Sequence, residues 1–268
     1  MSDFALMGIL NVTPDSFSDG GLWLDPVAAV AHAETMAAAG ATIIDVGGES
    51  TRPGAAPVDL DEELRRVVPV IAELSTRLPG VTLSVDTTKA AVASAAIDAG
   101  ATYVNDVTAF TSDPEMVHVV AAHRHVRCCL MHMQGAPRTM QSNPQYEDVV
   151  HEVEVHLRRR LEAVVEHGIP AERIDLDPGI GFGKTVGHNL RLLKNLDRLV
   201  AIGRPVVLGT SRKSSLARLT GRTDPSQLVS ASVATTVLGY QQGVRTFRVH
   251  DVAEHRDALV VAEAVGHA

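Results

Sequence analysis

The chain has only two cysteines, Cys128 and Cys129, and they are neighbours. Within one apolar run their side chains point to opposite faces, which excludes a disulfide framework and indicates a reducing compartment. No run of about 18 apolar residues is present, and no basic-then-apolar leader opens the chain, so a cytoplasmic location with no membrane partner is expected. Positive charge is scarce: 24 Lys and Arg stand against 32 Asp and Glu, a net charge of −8. A nucleic-acid surface needs a clustered basic face and is therefore disfavoured. Any anionic ligand must be met by a few local cations. The twelve histidines lack His-Glu-x-x-His or paired-cysteine spacing, which argues against zinc. No Ser- or Gly-rich linker and no low-complexity tract divides the 268 residues, so residues 1–268 read as a single domain.

What the chain does have is alternation. Short apolar runs occupy residues 6–10, 42–44, 81–85, 103–104, 128–131, 174–176, 205–209 and 244–247. They give way in turn to Asn11, Asp45, Asp86, Asn105, His132, Asp177, Ser211 with Lys213, and Arg248 with His250. Helical character fills residues 26–39, 59–77, 89–99, 147–166, 187–201, 227–240 and 253–265. Strand–helix alternation of this kind predicts parallel strands with helical crossovers, and the length fits an α/β (β/α)8 TIM barrel. An open doubly wound sheet is the rival, disfavoured by the lack of a boundary between halves.

In a barrel the C-terminal strand ends build the active site. Period-two parity puts Ser84 with Asp86, Tyr103 with Asn105, Asp175 with Asp177, and Arg248 with His250 on one face each. Asp106 has the opposite parity from Asn105 and reads as a loop cap. Asp86, Asn105 and Asp177 could grip the edge of a planar nitrogen heterocycle, although Asp86 could equally cap the next helix. Arg52, Arg248 and His250 suit a phosphate. Lys213, at a helix start where a cation opposes the dipole, has a specific task. Residues 178–185 end in Gly-Lys-Thr, but Pro178 stands where a P-loop needs its first glycine. That segment reads instead as a flexible glycine loop presenting Phe182. A hard cation such as Mg²⁺ at Asn11, completed by ligand phosphate and water, is compatible with these residues.

Residues 7–21 (MGILNVTPDSFSDGG), 45–54 (DVGGESTRPG), 84–90 (SVDTTKA), 105–107, 130–135 (LMHMQG), 177–184 (DPGIGFGK), 211–214 (SRKS) and 248–252 (RVHDV) together resemble the dihydropteroate synthases, in the same order and over nearly the whole chain. The resemblance implies a homodimeric (β/α)8 barrel, a sulfonamide target. It implies joining of 6-hydroxymethyl-7,8-dihydropterin diphosphate to p-aminobenzoate. It further implies that Asp86, Asn105, Asp177 and Lys213 hold the pterin, with Met131 and Phe182 lining its pocket. By the same resemblance Arg248, His250 and Asn11 hold the diphosphate, Asn11 also beside Mg²⁺. Phe17 falls on a first mobile loop, Thr51 and Arg52 on a second, and Ser211 near the p-aminobenzoate carboxylate. Asp86, Asp177, Lys213, Arg248 and His250 are expected to catalyse electrostatically. The chain departs from the family at Ser215, where Phe is common, beside the expected p-aminobenzoate pocket. A methyltetrahydrofolate-dependent methyltransferase would need no diphosphate clamp, and a non-catalytic pterin binder could lose Asn11 or Arg52; both clamp and loop motifs are present.

Overall fold

The computed structural model describes residues 3–13, 26–50, 55–136 and 138–268, so Phe17, Thr51 and Arg52 lie outside the described residues. Strands β1 (Ala5–Asn11), β2 (Ile43–Gly47), β3 (Thr82–Asp86), β4 (Tyr103–Asp106), β5 (Arg127–Met131), β6 (Ile174–Asp177), β7 (Val207–Leu208) and β8 (Thr246–Val249) form one sheet. Its order is β6-β5-β4-β3-β2-β1-β8-β7, and all pairs are parallel. The Leu176–Val206 bridge joins β6 to the approach of β7, and the Leu176 N–H donates to Pro205 O at 2.9 Å. The sheet therefore closes on itself as a (β/α)8 barrel.

Around it run α1 (Pro26–Ala39), α2 (Leu60–Arg77), α3 (Ala90–Asp98), α4 (Glu115–Ala122), α5 (Val149–Glu166), α6 (Val186–Lys194), α7 (Leu196–Val200), α8 (Ser214–Thr220), α9 (Val229–Gln241) and α10 (Val252–Gly266). Sequence periodicity misses α4 and α8, each only two turns long and too short to show a repeat. The helix expected over 187–201 is broken at Asn195 into α6 and α7, and a 3₁₀ turn at Pro225–Leu228 precedes α9. Helix α2 buries Glu63, Val67, Val70, Ile71 and Leu74, while Leu64 and Val68 are only half-buried.

The barrel has two apolar compartments. The larger lies between sheet and helices; burying its side chains drives folding, at roughly 25 cal/mol per Å² of apolar surface. The smaller fills the barrel interior with Met7, Tyr103, Cys129 and Val207, backed by Ile43. Strand pleating sends Cys128 into the first and Cys129 into the second, and both are fully buried free thiols. Burial pushes the Cys128 thiol up to about 12 and raises that of Cys129 well above its ordinary value. The plug is flanked by a polar group, since Tyr103 OH donates to Asp175 Oδ2 at 2.8 Å and Arg127 Nη2 to Asp175 Oδ1 at 2.6 Å.

Candidate active site

The same pleat that directs Tyr103 and Cys129 inward also directs the residues two steps further along each strand. Parallel register pairs Gly47 with Asp86, Asp86 with Asn105, and Met131 with Asp177, so Asp86, Asn105 and Asp177 stand toward the C-terminal ends of their strands. One inward step below Asp86 is Asp45 on β2, level with Ser84 and wholly buried. Its Oδ1 accepts from Ser84 Oγ at 2.5 Å. Its Oδ2 accepts from Asn105 Nδ2 at 3.0 Å and from Arg248 Nε at 2.6 Å. Three donors from β3, β4 and β8 thus converge on one carboxylate.

Arg248 also donates from Nη2 to Asp86 Oδ2 at 2.7 Å. The fork that the sequence offers to phosphate is therefore turned, on two of its nitrogens, toward carboxylates within the barrel. Burial alone would pull the guanidinium pKa down, but Asp45 and Asp86 more than offset this and raise it. Asp86 is 7% exposed; burial pushes its carboxyl up to about 7, with Asp45 adding to the rise and Arg248 opposing it. Asp86 caps no helix, because α3 starts from Lys89. Burial also raises Asp177, against a bond from the Gly179 N–H to Oδ1 at 2.6 Å and the charges of Lys213 and Arg248.

Above these residues opens a cavity of about 450 Å³. Asn11, Asp86, Phe182, Ser211, Lys213, Arg248 and His250 all line it. Asn105, Met131 and Asp177 are not among its lining residues, but each adjoins one: Asn105 pairs in register with Asp86, Met131 packs with Phe182, and Asp177 lies near Gly209. A Cβ at Gly209 would lie 3.8 Å from Arg248 Cβ and 3.9 Å from Asp177 Oδ2, which places Asp177 at the floor. A Cβ at Gly47 would lie 3.8 Å from both Asn11 Oδ1 and Asp86 Oδ2, which places Asn11 beside Asp86. Phe182 packs with Val107, Met131 and Met140, and Lys213 Nζ sits 4.2 Å above its ring, a cation–π contact. Lys213 is the residue before α8, so the helix start does hold a cation. Ser211 Oγ and His250 Nδ1 are 2.9 Å apart, and the His250 N–H donates to Ser211 Oγ at 3.2 Å, which ties the ends of β7 and β8 together. Ser215 is buried on α8, and its neighbour Ser214 lines the cavity instead.

Two expectations change. The segment after β6 is more than a glycine loop, because it is closed on a buried lysine. Gly179, Gly181 and Gly183 have φ of +65°, +87° and +63°, and Lys184 Nζ donates to the carbonyls of Gly179 and Phe182 at 2.9 and 3.0 Å. Thr185 caps α6 by accepting from the His188 N–H at 3.1 Å, so Gly-Lys-Thr is here a buried lysine and a helix cap. The second change is Asp45, which sequence reading takes as the end of an apolar run. The strand continues to Gly47, and the inward parity of Asp45 with Gly47 is the signal that identifies it. Asp106 accepts from the N–H groups of Thr108 and Phe110 at 2.7 and 3.0 Å, holding Ala109 and Phe110 at positive φ as a loop cap.

A further group escapes sequence reading altogether. Fully buried Glu63 accepts from Thr87 Oγ1 at 2.6 Å and pairs with Lys89 at 2.5 Å. Lys89 also pairs with Glu49, and Arg66 Nη1 donates to Gly48 O at 2.9 Å. The root of the β2 loop is thereby fastened to α2 and to the turn after β3. Among the described residues no group of three or more His, Cys, Asp or Glu side chains could hold a metal ion.

The pattern of the pterin binding enzyme family matches residues 7–250. The dihydropteroate synthase of Escherichia coli is 46% identical over 259 residues, covering 97% of this chain and 90% of that protein. Among solved structures, the Yersinia pestis dihydropteroate synthase in complex with a sulfonamide drug superposes with a TM-score of 0.95 at 45% identity, covering 98% of this chain and 94% of the other. The Xanthomonas albilineans dihydropteroate synthase in complex with 7,8-dihydropteroate gives 0.89 at 46% identity, covering 98% and 94%. The chain belongs to the pterin binding enzymes, among the dihydropteroate synthases.

Proposed function

We propose that this chain condenses 6-hydroxymethyl-7,8-dihydropterin diphosphate with p-aminobenzoate, giving 7,8-dihydropteroate and pyrophosphate. The observation that carries the reading is the junction at Arg248. One guanidinium links buried Asp45 and Asp86 to the rim where Asn11, Ser211 and His250 line the same cavity. A flat heterocycle enters between Phe182 and the Asp86–Asn105–Asp177 layer. Its diphosphate lies toward Arg248, His250 and Asn11. The Xanthomonas albilineans dihydropteroate synthase in complex with 7,8-dihydropteroate supports the product, and the same organism's dihydropteroate synthase with 4-aminobenzoic acid supports the second substrate.

The C–O bond to pyrophosphate breaks as positive charge grows on the pterin methylene and spreads into the ring. Asp86 and Asp177 face that charge, and a cation beside Asp86 favours its ionised form. The amine of p-aminobenzoate then forms the C–N bond and releases a proton to water. No covalent enzyme intermediate or strong base is required. Thr51, Arg52 and Phe17, which lie outside the described residues, complete the reading as substrate-binding residues.

The metal proposed for this site is Mg²⁺. The residues fit it: Asn11 offers one hard oxygen at the rim, and a cation with few protein ligands takes the rest from phosphate and water. When bound, it would neutralise charge on the departing pyrophosphate. The assembly proposed is a homodimer, supported by exposed Leu190, Leu219 and Leu238 on the mutually packed helices α6, α8 and α9. A cytoplasmic location accords with the two buried free thiols, and no described helix is long and apolar enough to cross a membrane. In a pyrophosphate-release assay with Mg²⁺, turnover is expected only when both substrates are present. Tight pterin diphosphate binding without turnover would refute the enzymatic reading.

A further inference from the structure

Lys184 ends the segment that imitates a phosphate loop, yet the residue is 2% exposed and does not line the cavity. Nζ donates to Gly179 O at 2.9 Å, Phe182 O at 3.0 Å and His132 O at 3.3 Å, and it lies 2.8 Å from His132 Nδ1. All four partners are acceptors once His132 is neutral with its proton on Nε2. Burial, with the Lys184 and His156 charges adding, pushes His132 down to about 2, which keeps it so. An ammonium satisfies such a cage, whereas a neutral amine would aim its lone pair at another acceptor. Burial pulls the lysine itself down to about 7, and Asp177 opposes that fall.

The cage joins two loops that carry the ring subsite. From β5 come Met131 and the His132 carbonyl. From β6 come Gly179, whose N–H holds the Asp177 carboxylate at 2.6 Å, and Phe182, whose ring lies under Lys213. The loops press closely: a Cβ at Gly179 would stand 1.9 Å from His132 O. We propose that Lys184 is a positioning residue for the ring subsite, its ammonium stitching the end of β5 to the glycine loop after β6 and so fixing Phe182 and the Asp177 carboxylate against the pterin. This rests on the pterin reading given above.

The test compares parent, K184M and K184R chains by calorimetric titration with a pterin lacking phosphates and, separately, with pyrophosphate and Mg²⁺. K184M is expected to bind the pterin at least about tenfold more weakly and pyrophosphate as the parent does. Asp177 faces the Gly179 N–H, Lys213, Arg248 and Lys184, so loss of one cation also moves the acid limb of pterin binding to higher pH. K184R keeps the charge: its affinity falls because the guanidinium overfills the cage, but its acid limb stays in place. Unchanged pterin affinity and an unmoved limb in K184M would overturn the proposal. If K184M shows no cooperative melt, K184R decides, since parent-like pterin affinity there overturns the proposal equally. A parent chain that binds no pterin would overturn the functional reading and this proposal with it.

Discussion

Replacing Asp45 by Asn removes one negative charge from the barrel while keeping its shape. The amide oxygen can take the Oδ2 position, where Arg248 and Asn105 both donate, and its NH₂ group can face Ser84, whose hydroxyl turns to accept. What is lost is the charge on a bond of 2.6 Å to a guanidinium with 19% side-chain exposure. Breaking a buried pair outright destabilises by roughly 3–5 kcal/mol, but two features lower that figure here. Arg248 retains Asp86, and Asp86 is relieved of a like charge that helps hold its carboxyl near 7. The expected loss is about 2 kcal/mol in urea unfolding at pH 7, with kcat/KM for pterin diphosphate falling about tenfold or more as Arg248 and Asn105 lose their common anchor. The pH dependence separates these contributions. A carboxyl raised in the folded state withholds stability above its unfolded value, so acidifying the parent from pH 7 toward pH 4 relieves Asp86, and the Asn variant gains less from the same change. Parent-like stability together with parent-like kcat/KM would refute the assignment of Asp45 as the anchor.

Arg248→Ala should weaken pyrophosphate binding about 100-fold and binding of a phosphate-free pterin about tenfold, because Arg248 also holds Asp45 and Asp86; equal losses in calorimetry would make the residue purely structural. Gly179→Ala combines φ of +65° with a Cβ 1.9 Å from a carbonyl oxygen, so thermal melts should show a loss of about 3 kcal/mol or more together with weakened pterin binding. His255 is fully buried beside Thr236 Oγ1, and burial pushes it down to about 4, with Asp251 opposing. Its stabilisation is complete above the unfolded value and is lost as pH falls from about 6.5 toward 4. Between pH 7 and pH 5 the parent should therefore lose about 2 kcal/mol more than a His255→Gln variant, and identical urea midpoints would contradict the shift.

The barrel was legible because strand and helix signals alternate over the whole chain, and the site because a pleat has a period of two. Asp86, Asn105, Asp177 and Arg248 follow from that parity, and the cavity brings Asp86 and Arg248 within 2.7 Å. Parity places a side chain on a face but does not name its partner. It suggested an Arg248 open to phosphate, and only the folded register brings Asp45 from β2 against it. Lys184 and Glu63 escaped for a related reason. Charged residues that close a loop or lie on a helix read as solvated, and their burial is decided by hydrogen-bond partners 52 and 24 residues distant in sequence, an acceptor for Lys184 and a donor for Glu63. Short helices α4 and α8 carry too few turns for periodicity to register.

The adjacent thiols offer a clock for the opening of the barrel. Cys128 and Cys129 sit one residue apart but in separate compartments, one beneath the helices and one in the interior plug. Each is sealed from solvent, and each is held as the unreactive thiol by its burial. An alkylating reagent can reach Cys128 only when helices lift from the sheet, and Cys129 only when the sheet itself parts. The ratio of the two labelling rates, read by mass spectrometry on one peptide, therefore reports which layer of the molecule comes apart first.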